Sequence, residues 1–529
     1  MKVKNKNLIV LSLAGSVGLS ACGGGGGGNN VNTVPNSDLV YIADASVNGT
    51  YELFSTTRDS NEHTILTQAS FGGGVDRDFQ LSPNGRYVAF ISEGDMPDVY
   101  ELYVDDLDDD LPPVKVNSDL VVGGDVDSFQ WSPNSNRLAY AADQAVDDQF
   151  DLYTVQPNGS QLTRVSGDMS AGGSLATNAP GLDSAEYAWS PNGQRLAYIA
   201  DQDTDSIAEL YTVMASGSGN VKINGDMAVG GDVTGFKWSP DSQRVLYRAD
   251  QDTNTVYELY SSLSIGLINA KLNIEPVAGG DVSSRYEWSY DGSHVAFTGD
   301  LNINDKNELY TSGFVGADKV KISLNAIDFV RSIAWSPVED RLVYIAVDQD
   351  RSDLYSVMVD GAQHAQLSDP MNPADAIVHD YEWAPDGSRV AIERYIGSSD
   401  DQIDLFTVTV DGLTRDQIDT QGEVGSFAWS PDSQSIAYRA DQDTIGVIEL
   451  YTATYDGQSI TKVNGLLIAG GDVTRFKWSL DNQSLAYRAD QDTDGINELF
   501  TVNSNGMNAS KVSTALSPSG DVDTFQWRP

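Results

Sequence analysis

Gly230-Gly231-Asp232-Val233-Thr234-Gly235-Phe236-Lys237-Trp238-Ser239-Pro240-Asp241-Ser242-Gln243-Arg244-Val245-Leu246-Tyr247-Arg248-Ala249-Asp250-Gln251-Asp252 is a phrase that this chain repeats from end to end. Every tryptophan occupies the same slot of it: Trp131, Trp189, Trp238, Trp288, Trp335, Trp383, Trp429, Trp478 and Trp527, with Leu81 in the same place of a further copy. The spacing is about 50 residues, a period that signals propellers and solenoids. Within one copy, 235–239 alternates as a strand does, 240–243 is a Pro-Asp turn, and 244–248 is a second strand. The acidic loop 249–254 follows, then a third strand at 257–261 and a fourth at 270–273. Apolar residues alternate and never recur at helical spacing. Four short strands per unit make a propeller blade.

The expected fold class is therefore all-β: a β-propeller of four-stranded blades, with about ten repeats. The chain ends support closure. Residues 39–44, 51–54 and 63–66 match the second, third and fourth strands of a copy whose Trp strand is missing. Residues 523–529 are a Trp strand with nothing after it. Pairing the N- and C-terminal strands would close the ring and remove a free sheet edge. Two arrangements remain open, one ring or two stacked propellers. Each Trp is expected to wedge between blades as core, the other reading being an exposed aromatic ring that stacks sugars.

The repeated phrase resembles that of TolB-type β-propellers, which runs W-S-P-D-G, then I-A-F, an acidic loop, and E-L-Y. Here it reads Trp189-Ser190-Pro191-Asn192-Gly193 with Leu196-Ala197-Tyr198. A second copy reads Trp429-Ser430-Pro431-Asp432 with Ile436-Ala437-Tyr438 and Glu449-Leu450-Tyr451. The resemblance covers about residues 38–529 and implies the fold, which hosts many functions. TolB sets an α/β domain before its propeller, and related peptidases append a hydrolase domain. Neither pattern is visible here, so the family's partners are not carried over.

The first residues read as a leader. Lys2, Lys4 and Lys6 precede an apolar stretch, 8–19, too short to span a bilayer. Leu19-Ser20-Ala21-Cys22 looks like a bacterial lipobox, which is cut before a cysteine that then receives lipid. Cys22 is the only cysteine, so no intrachain disulfide can form. Gly23 is unlike an inner-membrane retention signal, which by resemblance to known sorting patterns favours the outer membrane. The expected organisation is a lipoprotein signal over 1–22, a Gly/Asn-rich flexible tether over 23–37 and the propeller over 38–529. Net charge is −45. Nucleic acid and anionic lipid surfaces are poor partners for such a body, and cations are better ones.

Counting from each Trp assigns the acidic residues to loops. Asp125, Asp183, Asp232, Asp472 and Asp521 lie six residues before their Trp, with Glu423 equivalent, and Asp281 and Asp328 lie seven before. A second set follows the second strand: Asp201, Asp203 and Asp205; Asp250 and Asp252; Asp441 and Asp443; Asp490, Asp492 and Asp494. Strand directions alternate, so both sets must share one face. Two readings follow. The D-x-D-x-D loops could bind Ca²⁺ as alternating carboxylates, with Glu498 completing a site. Otherwise the aspartates cap turns through backbone hydrogen bonds. Asp490 to Gly495 copies half of an EF-hand loop, but Thr501 at its twelfth position excludes a standard one.

Catalytic motifs are missing from the sequence. There is no G-x-S-x-G, no phosphate-binding loop and no thiol beyond Cys22, and His63, His294, His364 and His379 lie far apart. The expected function is an outer-membrane-anchored acidic lipoprotein acting as a non-catalytic binding or scaffold module, with an envelope protein or polysaccharide as partner. The alternatives are a lyase-like enzyme acting on polysaccharide in a central channel, a use some TolB-type propellers imply, and a TolB-like envelope assembly factor.

Overall fold

Residues 233–271 take up four antiparallel strands in a computed structural model: Val233–Trp238, Arg244–Ala249, Glu258–Leu263 and Asn269–Lys271. The pleat explains the sequence pattern. Phe236 pairs with Tyr247, Tyr247 with Tyr260, and Tyr260 with Lys271, so one face carries a cross-strand aromatic row. Tyr247 and Tyr260 stack at 5.3 Å, as do Tyr140 with Tyr153, Tyr198 with Tyr211, Tyr438 with Tyr451 and Tyr487 with Phe500 at 5.3–5.5 Å. The structure describes residues 38–529 except 47–48, 60–62, 68–73, 94–97, 177–185, 350, 369–375, 397–402 and 420–421, and the side chains of 76–78, 376 and 396. The leader, Cys22 and the tether lie outside the described residues, as does Asp183.

Among the described residues there is no α-helix. The strands form eight four-stranded sheets and one eight-stranded sheet, in which two four-stranded sets are joined by the parallel pairing of Ser352 with Ile377. No sheet closes on itself; neighbouring sheets meet through side chains, the packing of a propeller-like fold. One sheet draws on both chain ends. Val522–Trp527 pairs antiparallel with Leu39–Ala43, placing Trp527 opposite Leu39, and Glu52–Thr56 and His63–Ile65 follow outward.

The tryptophans link the sheets in series. Each indole Nε1–H donates to a backbone carbonyl of the preceding sheet, always that of the residue just before the equivalent slot, at 3.0–3.5 Å. Trp131 reaches Gln80, Trp189 reaches Gln130, Trp238 reaches Ala188, and so on to Trp527, which reaches Lys477. A polar tip that finds a partner lets a large ring be buried between sheets without leaving an unpaired donor. The terminal sheet obeys the same rules on both sides. Thr501 donates to Arg58 O as Thr452 donates to Ser504 O one sheet earlier, and Gln526 Nε2 reaches Phe79 O.

The turns show why serine can replace glycine in them. Residue 242 sits in the left-handed region (φ 64°), where Gly193 sits in the neighbouring copy. Ser242 Oγ accepts the Asn192 N–H of the preceding sheet at 3.0 Å, and Ser135 and Ser433 do the same for Asn84 and Asp386. That inter-sheet bond offsets the strain of a Cβ at positive φ.

Candidate functional site

The acidic loops meet, as their placement on one face requires, and backbone N–H groups occupy many of their carboxylates. Asp250 Oδ1 accepts the N–H of Asp232 at 2.6 Å, and its Oδ2 accepts that of Thr255 at 2.7 Å. Asp201, Asp441 and Asp490 repeat this double clasp on Ser174 and Ser206, Glu423 and Gly446, and Asp472 and Gly495. The set that lies before the tryptophans links sheet to sheet. Asp232 Oδ1 accepts Ala208 N–H, and Asp125, Asp281, Asp472 and Asp521 accept those of Tyr100, Tyr257, Ile448 and Asn497, at 2.6–2.8 Å. Asp328 departs from the pattern and holds Gln349 N–H. Burial raises the Asp232 and Asp281 carboxyls above their ordinary values, against the pull of these N–H donors.

The middle aspartates serve another purpose. Asp203, Asp252, Asp443 and Asp492 pair at 3.2–3.5 Å with Lys222, Lys271, Lys462 and Lys511 of the fourth strands. Each lysine also meets a buried glutamate, Glu209, Glu258, Glu449 or Glu498, that opens the third strand. In three of these sheets a tyrosine two residues on donates to the glutamate's second oxygen, as Tyr260 does to Glu258 at 3.0 Å. Phe500 stands in that place beside Glu498, whose Oε2 is buried and unbonded. Asp205 and Asp494 are exposed and lie over Gly172 and Gly470, where a Cβ would approach their Oδ1 to 3.1 and 3.0 Å. Among the described residues no three His, Cys, Asp or Glu side chains are grouped as ligands for a metal ion.

One set of strands breaks the repeat. In the sheet of Ala376–Trp383 and Arg389–Ile396 the strands are longer and the D-Q-D loop is gone. Glu393 lies opposite Asp380, three residues before Trp383. In three other sheets that second-strand position is Arg248, Arg439 or Arg488. The Glu393 carboxylate is buried, and its Oε1 lies 2.9 Å from Nδ1 of His379 on the first strand. With Glu393 ionised and the imidazole neutral, Nδ1 donates to the carboxylate and Nε2 presents a lone pair. His379 is half-exposed, and its ring lies edge-on to Tyr395 at 5.0 Å. Arg331 of the preceding strand set donates to His379 O at 3.2 Å and holds the strand in place. Burial raises the Glu393 carboxyl, with His379 opposing and Asp380 and Glu423 adding to the rise. Glu382 is exposed, yet the protein crowded around it pushes its carboxyl up to about 7. An imidazole oriented by a buried carboxylate can take and return a proton. Sequence spacing hid this pair, because fourteen residues and a turn separate its members. The visible signal was Glu393 in the arginine position.

No family model and no curated protein matches the chain. Among solved structures it is similar to Porphyromonas gingivalis dipeptidyl peptidase 4, at 10% identity and TM-score 0.47 over 76% of this chain. It spans 64% of that peptidase's length. It is similar to a eukaryotic initiation factor, at 11% identity and TM-score 0.49 over 81% of this chain and 96% of that one. A structure from a study of two prolyl endopeptidases gives 15% identity and TM-score 0.36, over 70% of this chain and 55% of that one. At such identities a likeness bears on fold alone. The expected non-catalytic binding or scaffold role is corrected at one point: the described residues hold an oriented His–Glu pair that the expectation had left out.

Proposed function

We propose that the chain is a single closed ring of ten blades, lipid-anchored through Cys22 at the outer membrane, with a hydrolase-type acid–base site at His379 and Glu393. The series of indole bonds reaches the sheet shared by both chain ends, and Gln526 Nε2 on Phe79 O links that sheet to the Leu81 copy, which supports one ring over two stacked propellers. The Leu19-Ser20-Ala21-Cys22 box supports the anchor. Labelled palmitate entering the wild type and not Cys22→Ser would test it.

The observation that carries the catalytic reading is the 2.9 Å contact of Nδ1 with a buried carboxylate on a half-exposed imidazole. In the proposed step Nε2 takes a proton from water as the water oxygen bonds to the substrate's electrophilic carbon. The bond to the leaving group breaks, and Nε2 returns the proton to it. Asp380, Glu382, Glu393 and Glu423 make the surroundings acidic, so a neutral or cationic substrate suits the site better than an anionic one. The test is a panel of fluorogenic peptides, esters and glycosides run with wild type, His379→Ala and Glu393→Gln, with melting temperature as the folding control. The expected result is wild-type turnover that falls about 100-fold or more in His379→Ala. A wild type inert across the panel, or a fully active His379→Ala, overturns the reading.

A further inference from the structure

In a chain with 77 acids and 32 bases, four cations gather where three successive sheets meet. Arg475 and Lys477 lie on the first strand Val473–Trp478, both exposed. Arg488 of the second strand lies directly opposite Arg475. Arg439 comes from the preceding sheet, and its Nη1 donates to Thr474 O at 2.6 Å, one residue from Arg475. Arg488 is anchored in the same manner, its Nη1 on Asp523 O at 2.7 Å and its Nε on Thr474 Oγ1 at 2.8 Å. These bonds give Arg439 and Arg488 a structural purpose as staples between sheets. They give Arg475 none, and Lys477 Nζ only overlies the Phe525 ring, 5.8 Å from its centroid.

The equivalent lysine elsewhere shows what is missing. Lys237 fills the same slot two residues after Gly235, and it pairs with Glu287 of the next sheet. The residue that would serve Lys477 is Gln526, a neutral amide turned instead to Phe79 O. No ion pair joins Arg475 or Lys477 to a described carboxylate, while Asp472 lies near Arg439, and Asp521 and Asp523 near Arg488. Desolvation first, and Arg475 after it, hold the Lys477 ammonium, Arg439 and Arg488 below their ordinary values. Like charges so close are costly unless something negative sits among them.

We propose that Arg475 and Lys477, backed by Arg439 and Arg488, bind an oxyanion, the carboxylate or phosphate group of a small ligand. Arginine's planar fork and lysine's point charge are the pair of donors that such groups take. This site is independent of the His379–Glu393 reading and can stand or fall without it. The test is calorimetric titration of the whole chain with inorganic phosphate and, separately, citrate, at low salt. The expected result is saturable binding of at least one anion, weakened about tenfold or more in the double variant Arg475→Ala/Lys477→Ala. Binding should also fade as salt is raised. Phosphate alone or citrate alone identifies the source of the group. Arg475 forms no ion pair with a described carboxylate and Lys477 only overlies the Phe525 ring, so the double variant should melt close to the wild type. Lys115→Ala, on a fourth strand and paired to Glu101, is the control that should bind normally. Heat that never saturates with either anion, or binding unchanged in the double variant, overturns the proposal.

Discussion

The set of strands at 233–271 and the set at 376–417 are built on one phrase and spend it differently. The first keeps Arg248 beside its first strand, the clasp of Asp250, and the Asp252–Lys271–Glu258 group, so its charges are consumed in holding the loops. The second has Glu393 for the arginine and places His379 against it, half-open to solvent. Its indole bond is also the longest, Trp383 to Ala334 O at 3.5 Å against 3.1 Å for Trp238. A repeat that spends its acidic groups on its own loops has little left for chemistry. Chemistry is to be sought where the repeat is broken.

The comparison can be broken first at its tryptophans. Trp238→Ala should cost about 3 kcal/mol in urea unfolding, the low end of the range for removing a large aromatic, because the ring is only partly buried between packed sheets. Trp→Phe keeps most of the ring and loses the indole bond, so it should cost less at 383 than at 238. Equal losses would mean that the bond contributes nothing. Next comes the clasp. Asp250→Ala frees two backbone N–H groups at once and should cost about 2–3 kcal/mol. Asp252→Ala removes the ion pair of a half-exposed carboxylate and should cost under about 1 kcal/mol. If EDTA lowers the melting temperature as far as Asp250→Ala does, the loops depend on a metal and the clasp account is insufficient.

A smaller effect separates the two sets by pH. Asp419 is buried where the regular sets carry Asn273 or Asn464, and it accepts Leu405 N–H as those accept Leu259 and Leu450 N–H. Burial pushes its carboxyl up to about 6. A raised acid favours the folded state while protonated. Its contribution is full below the unfolded value of about 4 and is lost as pH climbs through about 6. Asp419→Asn should therefore stabilise the chain by roughly 1–2 kcal/mol at pH 8 and hardly at all at pH 4. A gain of the same size at both pH values would contradict that origin. The mildest test fills a gap within the regular sets: Phe500→Tyr should give Glu498 Oε2 its missing donor and add about 1 kcal/mol.

The architecture was legible in sequence because its devices repeat. The Trp slot sets the register, the two half-sets at the ends announce their pairing, and the register puts both aspartate groups on one face. The roles of the individual aspartates were not legible. Asp250 and Asp252 look alike in D-Q-D, and only the fold reveals that one grips backbone and the other a lysine. His379 and Glu393 were hidden for a related reason: a pair formed across neighbouring strands has no spacing rule, and an isolated histidine reads as a surface residue. Arg475 and Lys477 were submerged in a strongly acidic composition, which describes the whole body and says nothing about one strand.

The most direct test sets one variant from each region side by side. Hydrolysis of the best panel substrate and melting temperature would be measured for His379→Ala and Asp250→Ala. The account predicts opposite profiles: His379→Ala loses turnover about 100-fold and melts with the wild type, while Asp250→Ala melts early and keeps its turnover below that temperature. Loss of turnover in proportion to loss of stability in both variants would contradict it.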